Sequence, residues 1–176
     1  DTVPGIELRD RFVDSLCLEY AEPDYGIHDG QEYFPKEKGG VRVLFTICSG
    51  YSKFPKQVYI YNPVSDTLVS SGETGTVISG LIVHDLDEDG AQDIIGCAGA
   101  SGHIPDSLNR PYSDYTAWIM AFDSSLQMMF EPVGFPGFRS KLQMKAIQIK
   151  GIPHFVVLMN QSGAGNQPSQ LMIYNT

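Results

Sequence analysis

The sequence predicts an all-β chain, and three observations carry that prediction. Apolar residues come in short β-branched or aromatic runs, such as Val41 to Cys48 (VRVLFTIC) and Val58 to Asn62 (VYIYN), bounded by Gly, Pro, Asn and Asp. Strands separated by turns read this way. No stretch shows the apolar period of about 3.6 residues that marks an amphipathic helix, so almost no helix is expected. The runs also recur in one order. Three inner strands are followed by Ser49-Gly50, Ser101-Gly102 and Ser162-Gly163, and the next strand in each case ends in Tyr61-Asn62, Phe122-Asp123 or Tyr174-Asn175.

A repeat of that length, with several strands in each unit, suits blades of four antiparallel strands. The expectation is therefore about three four-stranded antiparallel propeller-like blades, forming a partial or incomplete β-propeller, because closure typically needs about 4 to 8 blades. A β-sandwich is the alternative, since it too yields many short strands with Gly and Pro turns. The units are placed at about 12–75, 76–139 and 140–176, preceded by a lead-in or edge strand over 1–11.

Within the first unit, Phe12 to Tyr20 alternates loosely as a strand, and Ala21 to Gly40 reads as a loop, with Asp29-Gly30 and Gly39-Gly40 as turn signals. Val41 to Cys48 and Val58 to Asn62 are strands joined by a loop over Ser49 to Gln57, and Asp66 to Ser71 closes the unit. In the second unit, DIIGCAGASG leads to WIMAFD and then to LQMMFEP as strands. In the third, HFVVLMNQSG leads to LMIYN.

Composition bounds the function. The 176 residues suit one domain with a sizeable core. A net charge of -9 argues against nucleic acid, whose binding rests on neutralising phosphates, and it equally disfavours an anionic membrane surface. No apolar run approaches the roughly 20 residues needed to span a bilayer, and no charged-then-apolar signal peptide opens the chain. A start at Asp1 rather than Met is expected of a processed or excised chain. Cys17, Cys48 and Cys97 lack C-x-x-C spacing, and each lies in an apolar run, so three buried thiols are expected rather than a zinc site or a disulfide framework.

The chemistry concentrates in Leu81 to Gly99 (LIVHDLDEDGAQDIIGCAG), where an acidic loop sits between two apolar runs. Asp85, Asp87, Asp89 and Asp93 alternate around Gly90, which supplies the sharp turn. Calcium takes roughly 6 to 8 oxygen ligands, and such a loop offers carboxylates together with the Ala91 carbonyl. An EF-hand opens in the same way but closes with a bidentate Glu, and the place of that Glu is occupied here by Gly96. The β-branched flanks make this a loop between strands instead. The alternative is an acidic hairpin turn that binds nothing.

The pattern D85-x-D87-x-D89-G90-x-x-D93 followed by an apolar strand resembles the calcium loop of FG-GAP or VCBS-type β-propeller repeats, as in integrin α-subunits. The resemblance is confined to this loop. It implies Ca²⁺ as the cofactor, with Asp85, Asp87, Asp89, Asp93 and the Ala91 carbonyl as ligands. It further implies an extracytoplasmic setting (secreted, cell-surface or periplasmic), in adhesins or in receptor ectodomains such as those of bacterial sensor kinases.

Neither H-E-x-x-H, nor a phosphate-cradling loop, nor a G-x-S-x-G elbow is present, and His28, His84, His103 and His154 are dispersed, as ordinary hydrogen-bonded histidines would be. The chain therefore reads as a binding or sensing module and not as an enzyme. A polysaccharide-active enzyme, or an accessory part of one, is the alternative. It needs acid and base carboxylates converging on the loop face, and an exposed, unpaired Asp106 or Asp114 would count against it. The loops after the inner strands are where a propeller presents ligands. The longest, Ser101 to Thr116, supplies Arg110, Tyr112 and Tyr115, and the neighbouring unit supplies Tyr51. Aromatic rings beside a guanidinium suit a glycan or a peptide. Other blades or a partner chain are the remaining partners expected.

Overall fold

The computed structural model describes residues 26–33, 42–48, 56–102, 109–136, 140–161 and 170–175. They form three antiparallel sheets, and no helix occurs among them. The first sheet runs β1 (Gly26–Tyr33), β2 (Arg42–Cys48), β3 (Val58–Asn62) and β4 (Thr67–Ser70) in sequence order. The second repeats that order with β5 (Ile78–His84), β6 (Asp93–Ala98), β7 (Thr116–Phe122) and β8 (Val133–Pro136). The third comprises β9 (Ser140–Ile149), β10 (Ile152–Gln161) and β11 (Gln170–Asn175). The sandwich held as an alternative has two sheets; here there are three.

Side-chain alternation explains how the sheets stack. On β6 and β7, Ile95, Cys97, Ala117, Ile119 and Ala121 face one way and meet Leu142, Phe155, Val157 and Met159 of the third sheet. Ile94, Met120 and Phe122 face the other way and meet Leu44, Val58 and Ile60 of the first. The second sheet is thus covered on both faces, and every residue of β6 is buried. A strand buried on both faces needs a continuous apolar run, which is what DIIGCA supplies.

The first strand of each four-stranded sheet carries the same irregularity. Asp29 and Gly30 of β1 stand opposite Phe45, and Gly80 and Leu81 of β5 stand opposite Gly96, two residues against one. Such a bulge sharpens the local twist, and a left-handed glycine commonly seeds it. Gly80 has φ +64, and a Cβ there would lie 2.9 Å from the Cys97 sulfur. The third sheet opens on a tight hairpin instead, in which Lys150 and Gly151 both take positive φ and link Ile149 directly to Ile152. That is the turn that matches strand twist.

Two expectations are corrected. Ala21 to Gly40 is not a loop throughout, because Gly26–Tyr33 pairs with β2 and Asp29-Gly30 bulges rather than turns. LQMMFEP is not a strand. Asp123 Oδ1 accepts from the amides of Ser125 and Gln127, Leu126 takes φ 63, and only Met128 bridges back to Phe122. The strand that follows β7 is β8, farther along the chain. Of the three thiols, Cys97 is buried, as expected, and forms no disulfide, whereas Cys17 and the Cys48 side chain lie outside the described residues, as do 1–11 and Phe12 to Tyr20.

Gly80→Ala tests the bulge. A side chain forced into the left-handed region costs about 1–2 kcal/mol, and the new methyl must also displace the Cys97 sulfur, which donates to Ser79 and Leu142 carbonyls. Urea unfolding should show a loss of about 2 kcal/mol or more; an unchanged midpoint would mean that the bulge is not a constraint.

A candidate metal loop between β5 and β6

The acidic loop joins two strands that the core holds in register, with His84 of β5 opposite Asp93 of β6. Its backbone is organised by its own carboxylates. Gly90 N–H donates to Asp85 Oδ2 at 2.9 Å, Ala91 N–H to Asp89 Oδ1 at 2.6 Å, and Asp89 N–H to Asp87 Oδ1 at 3.2 Å. Asx turns of this kind let Asp fix a turn locally. Gly90 takes φ 83, and Glu88 takes φ 57.

Asp85, Asp87 and Asp89 are brought together. One oxygen from each lies within 4.8 Å of the others, with Asp85 half-buried and the other two exposed. Two oxygens on opposite sides of one calcium ion are about 4.6–5.2 Å apart, so the three fit a single coordination shell. Asp85 Oδ1 is buried and has no hydrogen-bond partner. An orphaned carboxylate oxygen of this kind is costly to bury, and a hard cation is the partner that suits it.

Asp93 has a different place. It is buried, at 2% exposure, and its Oδ2 accepts from Leu86 N–H at 2.8 Å, so it ties the start of the loop to the start of β6. Burial raises its pKa above the ordinary aspartate value; the Leu86 bond opposes this, while the charges of Asp87, Asp85 and Asp89 add to it. Ala91 is buried beside these carboxylates in the chain.

The four residues expected to contact a ligand are placed as follows. Arg110 Nε donates to Glu73 at 2.9 Å, and its side chain is 12% exposed. Tyr112 is half-buried edge-on against Trp118, with ring centroids 5.3 Å apart. Its hydroxyl is held above the ordinary phenol range by burial, with the charge of Glu131 adding to the shift. Tyr115 is 47% exposed. Tyr51 lies outside the described residues. The segment carrying these residues is pinned at several points. Gly75 N–H donates to Pro111 O, Trp118 Nε1 to Ser113 O, and Ser101 Oγ to Asp114 Oδ2 at 2.5 Å. Asp114 is therefore buried and bonded, and Asp106 is outside the described residues.

His84 departs from the ordinary hydrogen-bonded histidine expected from the sequence. Its ring packs edge-on against Phe155, with centroids 5.9 Å apart, and its Nε2 is buried without a partner, unlike His154, whose Nδ1 lies 2.8 Å from the Ile152 carbonyl.

Compared with protein-family models, with curated proteins and with solved structures, the chain finds no match.

The electrostatics of the loop set a pH dependence. A carboxyl whose folded pKa lies above its unfolded value binds more protons when folded, so stability falls as pH rises from the unfolded value of about 4 through the folded one. In chelator, the urea midpoint should therefore decline over that window and then level off. Asp93→Asn keeps an acceptor for Leu86 and removes the charge, so its midpoint should decline less; a decline equal to that of the parent chain would show that Asp93 is not its source.

Proposed function

We propose that this chain is an extracytoplasmic, calcium-stabilised segment of a β-propeller that serves as a ligand-binding or sensing module, in an adhesin or a receptor ectodomain such as that of a bacterial sensor kinase. The observation that carries the reading is the loop between β5 and β6. It holds three carboxylates within one coordination shell, a buried oxygen without a partner, and a fourth carboxyl whose ionisation the other three oppose. Asp85, Asp87 and Asp89 would hold the ion, with the Ala91 carbonyl and Asp93 completing the set that the repeat resemblance implies. Its chemistry there is structural, since it neutralises charges that the fold forces together. Exposed Asp87 and Asp89 suit the weaker calcium sites of extracellular modules, where free calcium is plentiful.

The propeller reading is supported by two successive four-stranded sheets with sequential strand order, matching bulges in their first strands, and face-to-face stacking. The far face of the third sheet supports a continuing array or a partner chain, because Leu171 and Ile173 stand there 66% and 55% exposed. Solvent is a poor cover for paired large aliphatics on one sheet face. On the loop side, Tyr115 offers a ring for glycan or peptide contact, beside the pinned Arg110 and Tyr112.

Thermal unfolding tests the calcium reading. Calcium at about a hundredfold excess over its Kd adds about 2.7 kcal/mol, which corresponds to a rise of roughly 5–10 °C for a chain of this size. Chelator should reverse the rise, and Asp87→Ala should remove most of it. Superimposable melting curves with calcium and with chelator would defeat the proposal.

A further inference from the structure

Between the second and third sheets, beside the acidic loop, lies a cavity of about 340 Å³. Its described lining is apolar apart from two groups. Phe155, Met129, Met144 and aliphatic side chains of β6, β7 and β10 form the interior, with Tyr174 from β11. Asp87 and Phe130, both exposed, mark the mouth. The space is ligand-sized. A cavity of about 150 Å³ lined by Leu, Ile and Phe takes benzene, so this one accommodates a body of about two rings.

The polar features select the charge of that body. Asp87 is the charged residue of the described lining, and oxygens of Asp85 and Asp89 lie within 4.8 Å of its own. A mouth of concentrated negative charge repels anions and draws cations. Phe130, exposed, and Phe155, buried, share this lining with Tyr174, and aromatic faces attract a cation electrostatically. Met129 and Met144 add flexible, polarisable sulfur that adapts to aromatic ligands. Tyr174 donates its hydroxyl to the Met172 thioether, at 3.5 Å, a weak acceptor that a better one could displace.

We propose that this cavity binds a small hydrophobic monocation, an amine carried on an apolar body of about two rings, with the ammonium at the Asp87 and Phe130 mouth and the rings among Phe155, Met144 and Tyr174. The site is separate from the Tyr115 loop, and the cavity can be filled without bound calcium.

Calorimetric titration of the 176-residue chain in chelator, where the loop carboxylates keep their charge, tests this with three probes of one shape: 1-naphthylmethylammonium, the neutral 1-naphthalenemethanol and the anionic 1-naphthoate. The ammonium should bind about fivefold or more tightly than the alcohol, and the naphthoate most weakly. Asp87→Asn should abolish the preference for the ammonium while leaving the affinity for the alcohol in place. Met129→Trp, which fills the interior, should abolish saturable binding of both; should that variant fail to fold, Val133→Trp on the exposed strand β8 provides the same reading. Absence of saturable binding to the parent chain, equal or tighter binding of the naphthoate, a preference that survives Asp87→Asn, or binding that survives a folded cavity-filling variant would each overturn the proposal. Because chelator is present throughout, none of these outcomes bears on the calcium response.

Discussion

The constraint on which the rest of the structure depends is the burial of the second sheet on both faces. Strands β6 and β7 are covered by the first sheet on one side and by the third on the other, and small residues make the approach possible. Ala98, Ala117 and Ala121 are fully buried, and a Cβ at Gly96 would collide with Ile78. Interiors packed to crystal-like density tolerate little displacement. The β6 register is therefore fixed, and with it the position of Asp93 as the first residue of the strand. Through the bond from Leu86, that single carboxylate transmits the rigidity of the core to the loop.

Rigidity at the loop has an electrostatic consequence. A free peptide of this composition would relieve repulsion by letting its aspartates spread apart, but here the backbone amides of Asp89, Gly90 and Ala91 hold three of them inward. At Asp93, where solvent is excluded, burial raises the pKa, and the charges of Asp87, Asp85 and Asp89 add to the rise against the Leu86 bond. The loop is thus held in a shape that could take a metal ion, and a preorganised site loses little entropy on binding.

Much of this was legible in the sequence wherever a local rule decides the outcome. Val58–Asn62 is a strand because four residues of high β propensity, Val58 to Tyr61, sit between turn formers, and the alternating aspartates with Gly90 declare a turn by side-chain chemistry alone. Where long-range packing decides, the sequence misleads. GIHDGQEY carries a turn signal, and β2 overrides it by absorbing the extra residue as a bulge. LQMMFEP is apolar for a reason other than strand formation, since Leu126 reaches the core from within a turn. Four residues ending in proline give too short a pattern to announce β8. Arg110 and Tyr112 have the composition of a recognition loop, yet their partners Glu73 and Trp118 are supplied by topology, and spacing does not reveal them. The cavity is less legible still, because its walls come from strands of two sheets and from the loops between them.

Adjacent residues of the loop face two environments, and this couples them. Leu86 packs against the core cluster between the second and third sheets while its amide binds Asp93. Leu86 and Asp87 both line the cavity, and Asp87 also belongs to the carboxylate cluster. A divalent ion drawing on the Asp87 carboxylate and a monocation drawn to the cavity mouth compete for the same charge without occupying the same space. Coupling between two such sites is reciprocal, so whatever factor the ion removes from the affinity of the amine, the amine removes from that of the ion. A neutral ligand of the same shape escapes that penalty. The sign of the coupling is therefore set by the charge of the guest, and on the two proposals made above calcium and a hydrophobic cation would be read through one side chain, Asp87.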